Sequence, residues 1–171
     1  MQILDIFLRL AGAFYIFAGI VLARSIMTAR LIDQAIAAIA LEPPDPRERR
    51  KERYGLILAL VTFASGLCLA CLARSAVPLF LLGSALQAAY LFWLAPRFVD
   101  APGDAASGGR RQSTNALVLY AAMTALVVWS HHKGRLQDWS EMDDAVRIAA
   151  ALGLAGFIGM VAWTYARMRL R

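Results

Sequence analysis

The sequence predicts an all-α integral membrane protein: a bundle of five transmembrane helices, N-out and C-in, plus one amphipathic interfacial helix after the first span. Three observations predict it. The 171 residues are 60% hydrophobic with a mean hydropathy of +0.56, well above the ~45–50% apolar content of soluble domains. The apolar residues come in blocks of bilayer length, the clearest being 54–73 and 76–95, which as helices would each span about 30 Å, the thickness of a hydrocarbon core. Most of the 18 basic residues flank the apolar segments and form no single basic stripe, so the net charge of +6 reads as a topology signal and points away from a nucleic-acid surface. A soluble helical protein would need a polar outer face on every helix, whereas these blocks are apolar all round.

The first span is expected at 3–23. It carries Asp5 and Arg9, whose i,i+4 spacing places them on one face where they can pair. Val21-Leu22-Ala23 resembles a processing site, but the acid near the start and the late arginine argue for a retained helix. From 26 to 42 the pattern turns amphipathic: Arg30, Asp33, Gln34 and Ala37 share one arc, and Leu31, Ile32, Ala35, Ile36 and Ile39 the other. Such a helix suits the membrane interface. Pro43, Pro44 and Pro46 end it, and the run Arg47-Glu48-Arg49-Arg50-Lys51-Glu52-Arg53 completes a cytoplasmic basic linker, 43–53, against the next span.

Spans 54–73 and 76–95 form a hairpin around Arg74-Ser75. A glycine-containing cytoplasmic loop, 96–114, leads to a short span at 115–130, which closes on Trp129, a residue type common at membrane interfaces. An external acidic loop, 131–144, precedes the last span, 145–166, where Ser140 with Asp143 three residues on suggests a capping box. With the 24–53 segment, the 97–114 loop and the C-terminal tail on one side, that side holds 13 of the 18 basic residues and is expected to be cytoplasmic in a bacterial-type inner membrane.

Two kinds of residue stand out within the spans. Small residues make contact faces: Gly153, Gly156 and Gly159 in the last helix, and Gly55, Ala59, Thr62, Gly66 and Ala70 in the hairpin's first arm. Such faces let helices approach closely where lipid removes the usual hydrophobic drive, and those glycines point to a protein partner or a homo-oligomer. Polar groups are costly in a bilayer and should face each other or a cavity. In the predicted topology Asp5, Arg9, Ser65, Ser84, His131 and Arg147 fall in the outer half, with Gln87 and Thr124 near the middle, which suggests a polar pocket open to the outside. Arg147 has Asp143 and Asp144 as local partners.

Cys68-Leu69-Ala70-Cys71 is a C-x-x-C near the outer end of a span. In this it resembles membrane thiol oxidoreductases such as quinone-linked disulfide-bond oxidases and the vitamin K epoxide reductase family. The resemblance covers this tetrapeptide, and it implies a redox pair working with a quinone. The second cysteine pair through which those oxidases relay electrons is absent from the sequence. Cysteine also serves as a small apolar filler. No phosphate-cradling loop, nucleophile–base pattern or H-E-x-x-H motif occurs, and no metal or cofactor is predicted; His131 and His132 read as an interfacial pair. The expectation is a non-enzymatic accessory subunit or small-ligand-binding component of a membrane assembly. The alternatives are the thiol–quinone enzyme and a small oligomeric transporter using Asp5, Arg9, Gln87 and His131, for which no inverted repeat is visible.

Overall fold

Long apolar runs without internal breakers become long helices in this chain. The computed structural model describes residues 3–41, 46–99 and 107–169, and among them the architecture is helical: α1 (Ile3–Ala40), α2 (Pro46–Ala70), α3 (Ala76–Ala89) continuing into a π-helix (Tyr90–Val99), α4 (Ser107–His132) and α5 (Asp144–Arg169). Among the described residues, five helices are long and apolar enough to cross a membrane.

α1 is one helix where the sequence suggests two. No glycine or proline falls between Ile20 and Leu41, so nothing ends the helix near Arg24, and the Thr28 hydroxyl folds back onto the Arg24 carbonyl at 3.0 Å. At 1.5 Å per residue its 38 residues reach about 57 Å, nearly twice a hydrocarbon core. The amphipathic segment expected as a separate helix at 26–42 is therefore the distal half of α1. Its apolar arc, Leu31, Ile32, Ile36 and Ile39, is exposed.

The basic linker expected at 43–53 is also helical from Pro46 onward; 43–45 lie outside the described residues. Proline suits the first turn, where its missing N–H is no loss, so Pro46 opens α2. α2 returns antiparallel along α1 in backbone contact. A Cβ on Gly12 would lie 2.4 Å from the Ala70 nitrogen, and one on Gly66 2.6 Å from the Ile16 nitrogen. Farther along, Gly19 abuts Phe63 and Gly55 abuts Ile26, and an Arg30–Glu52 ion pair at 2.5 Å closes the row.

α2 ends in a Schellman turn. The Ala73 N–H bonds to the Cys68 carbonyl at 2.8 Å and the Leu72 N–H to the Leu69 carbonyl at 2.9 Å, with Leu72 in the left-handed region at φ 57°. Glycine usually takes that position; Leu72 holds it because its side chain is buried in the core. The turn is then stitched to the loop after α4: Arg74 N–H to the Gln137 carbonyl at 2.9 Å and Gln137 N–H to the Leu72 carbonyl at 2.8 Å. The hairpin connection is thus longer than the two residues Arg74-Ser75.

The third span changes winding at Tyr90 and runs to Val99 with Pro96 inside the π-helix. Proline removes a backbone donor from the ladder, and a wider turn is one way a helix absorbs such an interruption. Of the loop expected at 96–114, residues 96–99 belong to this π-helix and those from Ser107 to α4, while 100–106 lie outside the described residues. α4 therefore starts well before 115.

α5 starts at Asp144 and is capped by Asp143, whose carboxylate accepts the Ala145 N–H at 3.1 Å. Ser140, expected as the cap, sits instead in a short 3₁₀ turn, Trp139–Glu141. The core has two parts. Leu8, Tyr15, Leu69, Phe80, Tyr120 and Val127 join α1 to α4 in one cluster, and Ala23, Ala59, Phe63 and Phe157 seat α5 on α1 and α2. The Phe63 and Phe157 rings stack at 4.2 Å. α5 is thus a flanking helix with most of its surface exposed.

Candidate functional site

The polar residues singled out in the sequence fall into three groups along the bundle. The central group is a hydroxyl seam. Ser65 is fully buried on the α2 face toward α4, and its Oγ lies 2.9 Å from the Tyr120 hydroxyl and 2.8 Å from the Val61 carbonyl. One turn along, Ser84 of α3 and Thr124 of α4 share a hydrogen bond of 2.8 Å, and Thr124 donates to the Tyr120 carbonyl at 2.8 Å. Tyr15 packs edge-on against both Phe80 and Tyr120, with centroids 5.1 and 5.2 Å away. Gly83 has no side chain because the Tyr120 ring occupies its place. These hydroxyls satisfy each other or the helix backbone, as buried polar groups in an apolar bundle must.

The second group lies at the end of the bundle formed by the α2–α3 turn. Asp5 approaches Arg135, in the loop after α4, at 3.8 Å; its expected local partner Arg9 is exposed. Arg74 pairs with Asp138 and reaches the Leu136 carbonyl at 3.3 Å. The Ser75 hydroxyl accepts the Trp139 indole N–H at 2.9 Å. Both cysteines are free and partly buried, held on the last turn of α2 and its cap. Among the described residues, three buried atoms here have no hydrogen-bond partner: Asp5 Oδ1, Ser130 Oγ and His131 Nδ1. Arg147 stands apart at the start of α5, exposed and paired with Asp144.

The third group is at the opposite end. Arg30, held by Glu52, lies over the Tyr165 ring at 4.2 Å. The Tyr54 hydroxyl donates to the Leu86 carbonyl, and its ring stacks on Tyr90 at 5.6 Å, next to where α3 gives way to the π-helix. Gln87 Oε1 is buried here without a partner. Between α2 and α5 runs an apolar groove of about 540 Å³ whose lining includes Leu56, Ile57, Leu60, Phe157, Val161 and Tyr165.

Ser65, Ser84 and Thr124 are therefore together, Asp5 and His131 belong to one end, and Gln87 and Arg147 are each elsewhere. Sequence reasoning passed over Tyr120, the hub of the seam. Its signal was its spacing: Tyr120, Thr124, Val127 and His131 recur at helical period on one face of α4. Among the described residues, no three His, Cys, Asp or Glu side chains gather as a metal site. No protein family, curated protein or solved structure was found to match this chain.

Proposed function

We propose that this chain is a small multi-pass protein of a bacterial-type inner membrane, N-out and C-in, serving as a non-enzymatic subunit of a larger membrane assembly and docking through α5. The observation that carries this reading is the outer face of α5. Ala151, Ala155 and Gly159 are exposed and recur every four residues, at positions of α5 that do not line the groove against α2. Among the described residues, nothing comes within 4 Å of a Cβ placed on Gly156 or Gly159. A small-residue stripe of this kind is how helices in lipid approach a neighbour, and here the neighbour would be a partner or a second copy.

The orientation is supported by charge. The end carrying Arg49, Arg50, Lys51, Arg53 and Arg167 would face the cytoplasm by the positive-inside tendency, which leaves the α2–α3 turn, Cys68 and Cys71 toward the outside. The hydroxyl seam supports a structural rather than a chemical role, because its groups are engaged with one another and hold none in reserve.

The test is native purification after crosslinking from a photoreactive residue at Ala155. A stoichiometric partner or homo-oligomer, lost on Gly159→Leu while the chain stays folded, is the expected result. A monomer with no crosslinked neighbour in intact membranes would sink the reading. A small polar ligand is a second reading, favoured by the Asp5, Ser130 and His131 atoms that are buried without a hydrogen bond among the described residues. Ser130→Ala should then remove binding without lowering stability.

A further inference from the structure

We infer that the groove between α2 and α5 is a seat for one anionic glycerophospholipid, with its acyl chains along the groove and its phosphate at Arg49 and Arg53. The inference rests on the membrane reading above and is independent of the α5 docking face.

The groove has the shape and chemistry of an amphiphile's binding site. Its body is aliphatic and aromatic: Leu56, Ile57 and Leu60 from α2 face Phe157 and Val161 from α5. At about 540 Å³ it falls within the size range of small-molecule sites, ~300–1,000 Å³. It is polar at one end only, where Tyr165 lines it beneath the Arg30 guanidinium.

Charge then selects the head group. Arg49, Arg53, Leu56 and Leu60 follow one another at three- and four-residue spacing, with Ile57 beside Leu56, so the stripe of α2 that lines the groove continues directly into two guanidinium groups. Both arginines are exposed, and neither has an ion-pair partner among the described residues. Arg50, Lys51 and Arg167 add positive charge at the same end, against Glu52 and Asp33, and Glu52 is already taken by Arg30. Because 46–53 is helix and not a loose linker, the arginines hold a fixed register to the groove. A zwitterionic head would gain little from this surface; a net negative phosphate is its complement. Long arginine side chains can reach along the helix to the head-group level while their stems cover apolar surface.

The test compares phosphatidylglycerol with phosphatidylcholine, both carrying two oleoyl chains, added to the purified full-length chain in detergent, with bound lipid counted by native mass spectrometry. Phosphatidylglycerol should bind at a stoichiometry of one and in clear preference. Each of Arg49→Gln and Arg53→Gln should cut that preference about fivefold, as expected for one basic side chain near an anionic surface. Leu60→Trp, which fills the groove from a half-exposed position, should lower binding of both lipids, with helical circular dichroism unchanged. Equal binding of the two lipids would overturn the proposal. So would phosphatidylglycerol binding that survives Leu60→Trp undiminished, or a Leu60→Trp chain that loses a homodimer and keeps its lipid. Extraction is checked first: a chain released from membranes by alkaline carbonate alone would overturn the membrane reading itself, whereas failure of the lipid test in a detergent-dependent chain would leave that reading standing.

Discussion

Gly66, like Gly12, sits where backbone meets backbone with little room, and Gly66→Ala should be among the most damaging small substitutions. The new Cβ would lie 2.6 Å from the Ile16 nitrogen, 2.8 Å from the Gly12 oxygen and 2.8 Å from the Tyr15 carbonyl carbon. All three are backbone atoms of α1, so no side chain can turn aside. Ordinary contact begins near 3.4 Å, and α1 and α2 must part locally by about 0.8 Å, a gap at which facing atoms lose roughly a quarter to a half of their dispersion energy. With the usual overpacking cost of about 1–3 kcal/mol, and this clash falling wholly on backbone, we expect the upper half of that range. Gly156→Ala is the control: nothing lies within 4 Å of its Cβ, and alanine is the better helix former by up to about 1 kcal/mol. Unfolding of the purified chain by SDS in mixed micelles, followed by circular dichroism, measures both. If the two variants fall within about 0.5 kcal/mol of each other, a difference surface substitutions reach by chance, close backbone packing is not what holds α1 to α2.

Other substitutions test the remaining parts of the structure. Asp143→Ala removes the α5 cap and should cost about 1 kcal/mol, with faster amide exchange at Ala145, while Ser140→Ala should change neither. A double-mutant cycle of Ser65→Ala and Tyr120→Phe should give a coupling of about 0.6 kcal/mol, the average for hydrogen bonds between membrane helices; zero coupling would mean the two hydroxyls do not depend on each other. Arg74→Ala should cost less than about 1 kcal/mol, because its pair with Asp138 is exposed and the backbone bridge to Gln137 stays. Gln137→Pro, which deletes the donor to the Leu72 carbonyl, should loosen that end far more, seen as faster exchange at Arg74. Cys68→Ser should leave growth and assembly unchanged if the chain is an accessory subunit. A lost phenotype with Cys68 trapped as a mixed disulfide would favour the thiol–quinone alternative.

Much of the helical content was legible because apolar block length and lipid thickness are the same physical quantity read twice. Breaks between elements were harder to read, because a helix stops only where something stops it. The basic and amphipathic character of 24–40 suggests a change of environment, yet without glycine or proline the backbone has no reason to end, and α1 continues. Pro46 misled in the opposite sense: proline terminates a helix from within but opens one from its first turn. Leu72 shows the same limit at finer scale. Nothing local favours leucine in a left-handed turn; its buried side chain outweighs the backbone cost.

The polar residues were identified by type, but their partners were not, since partners depend on helix rotation. Ser65 and Tyr120 lie 55 positions apart, and only the facing of α2 on α4 joins them. The same dependence separates the glycines. Gly66 and Gly159 read alike in sequence, each within a small-residue stripe of an apolar helix, but α1 covers the first and none of the described residues covers the second. Substitution by leucine should thus split them: Gly66→Leu unfolds the isolated chain, whereas Gly159→Leu leaves it folded and removes only what binds α5. If Gly159→Leu instead destabilised the purified monomer, the stripe would be serving the fold, and the argument for a docking partner would lose its one direct support.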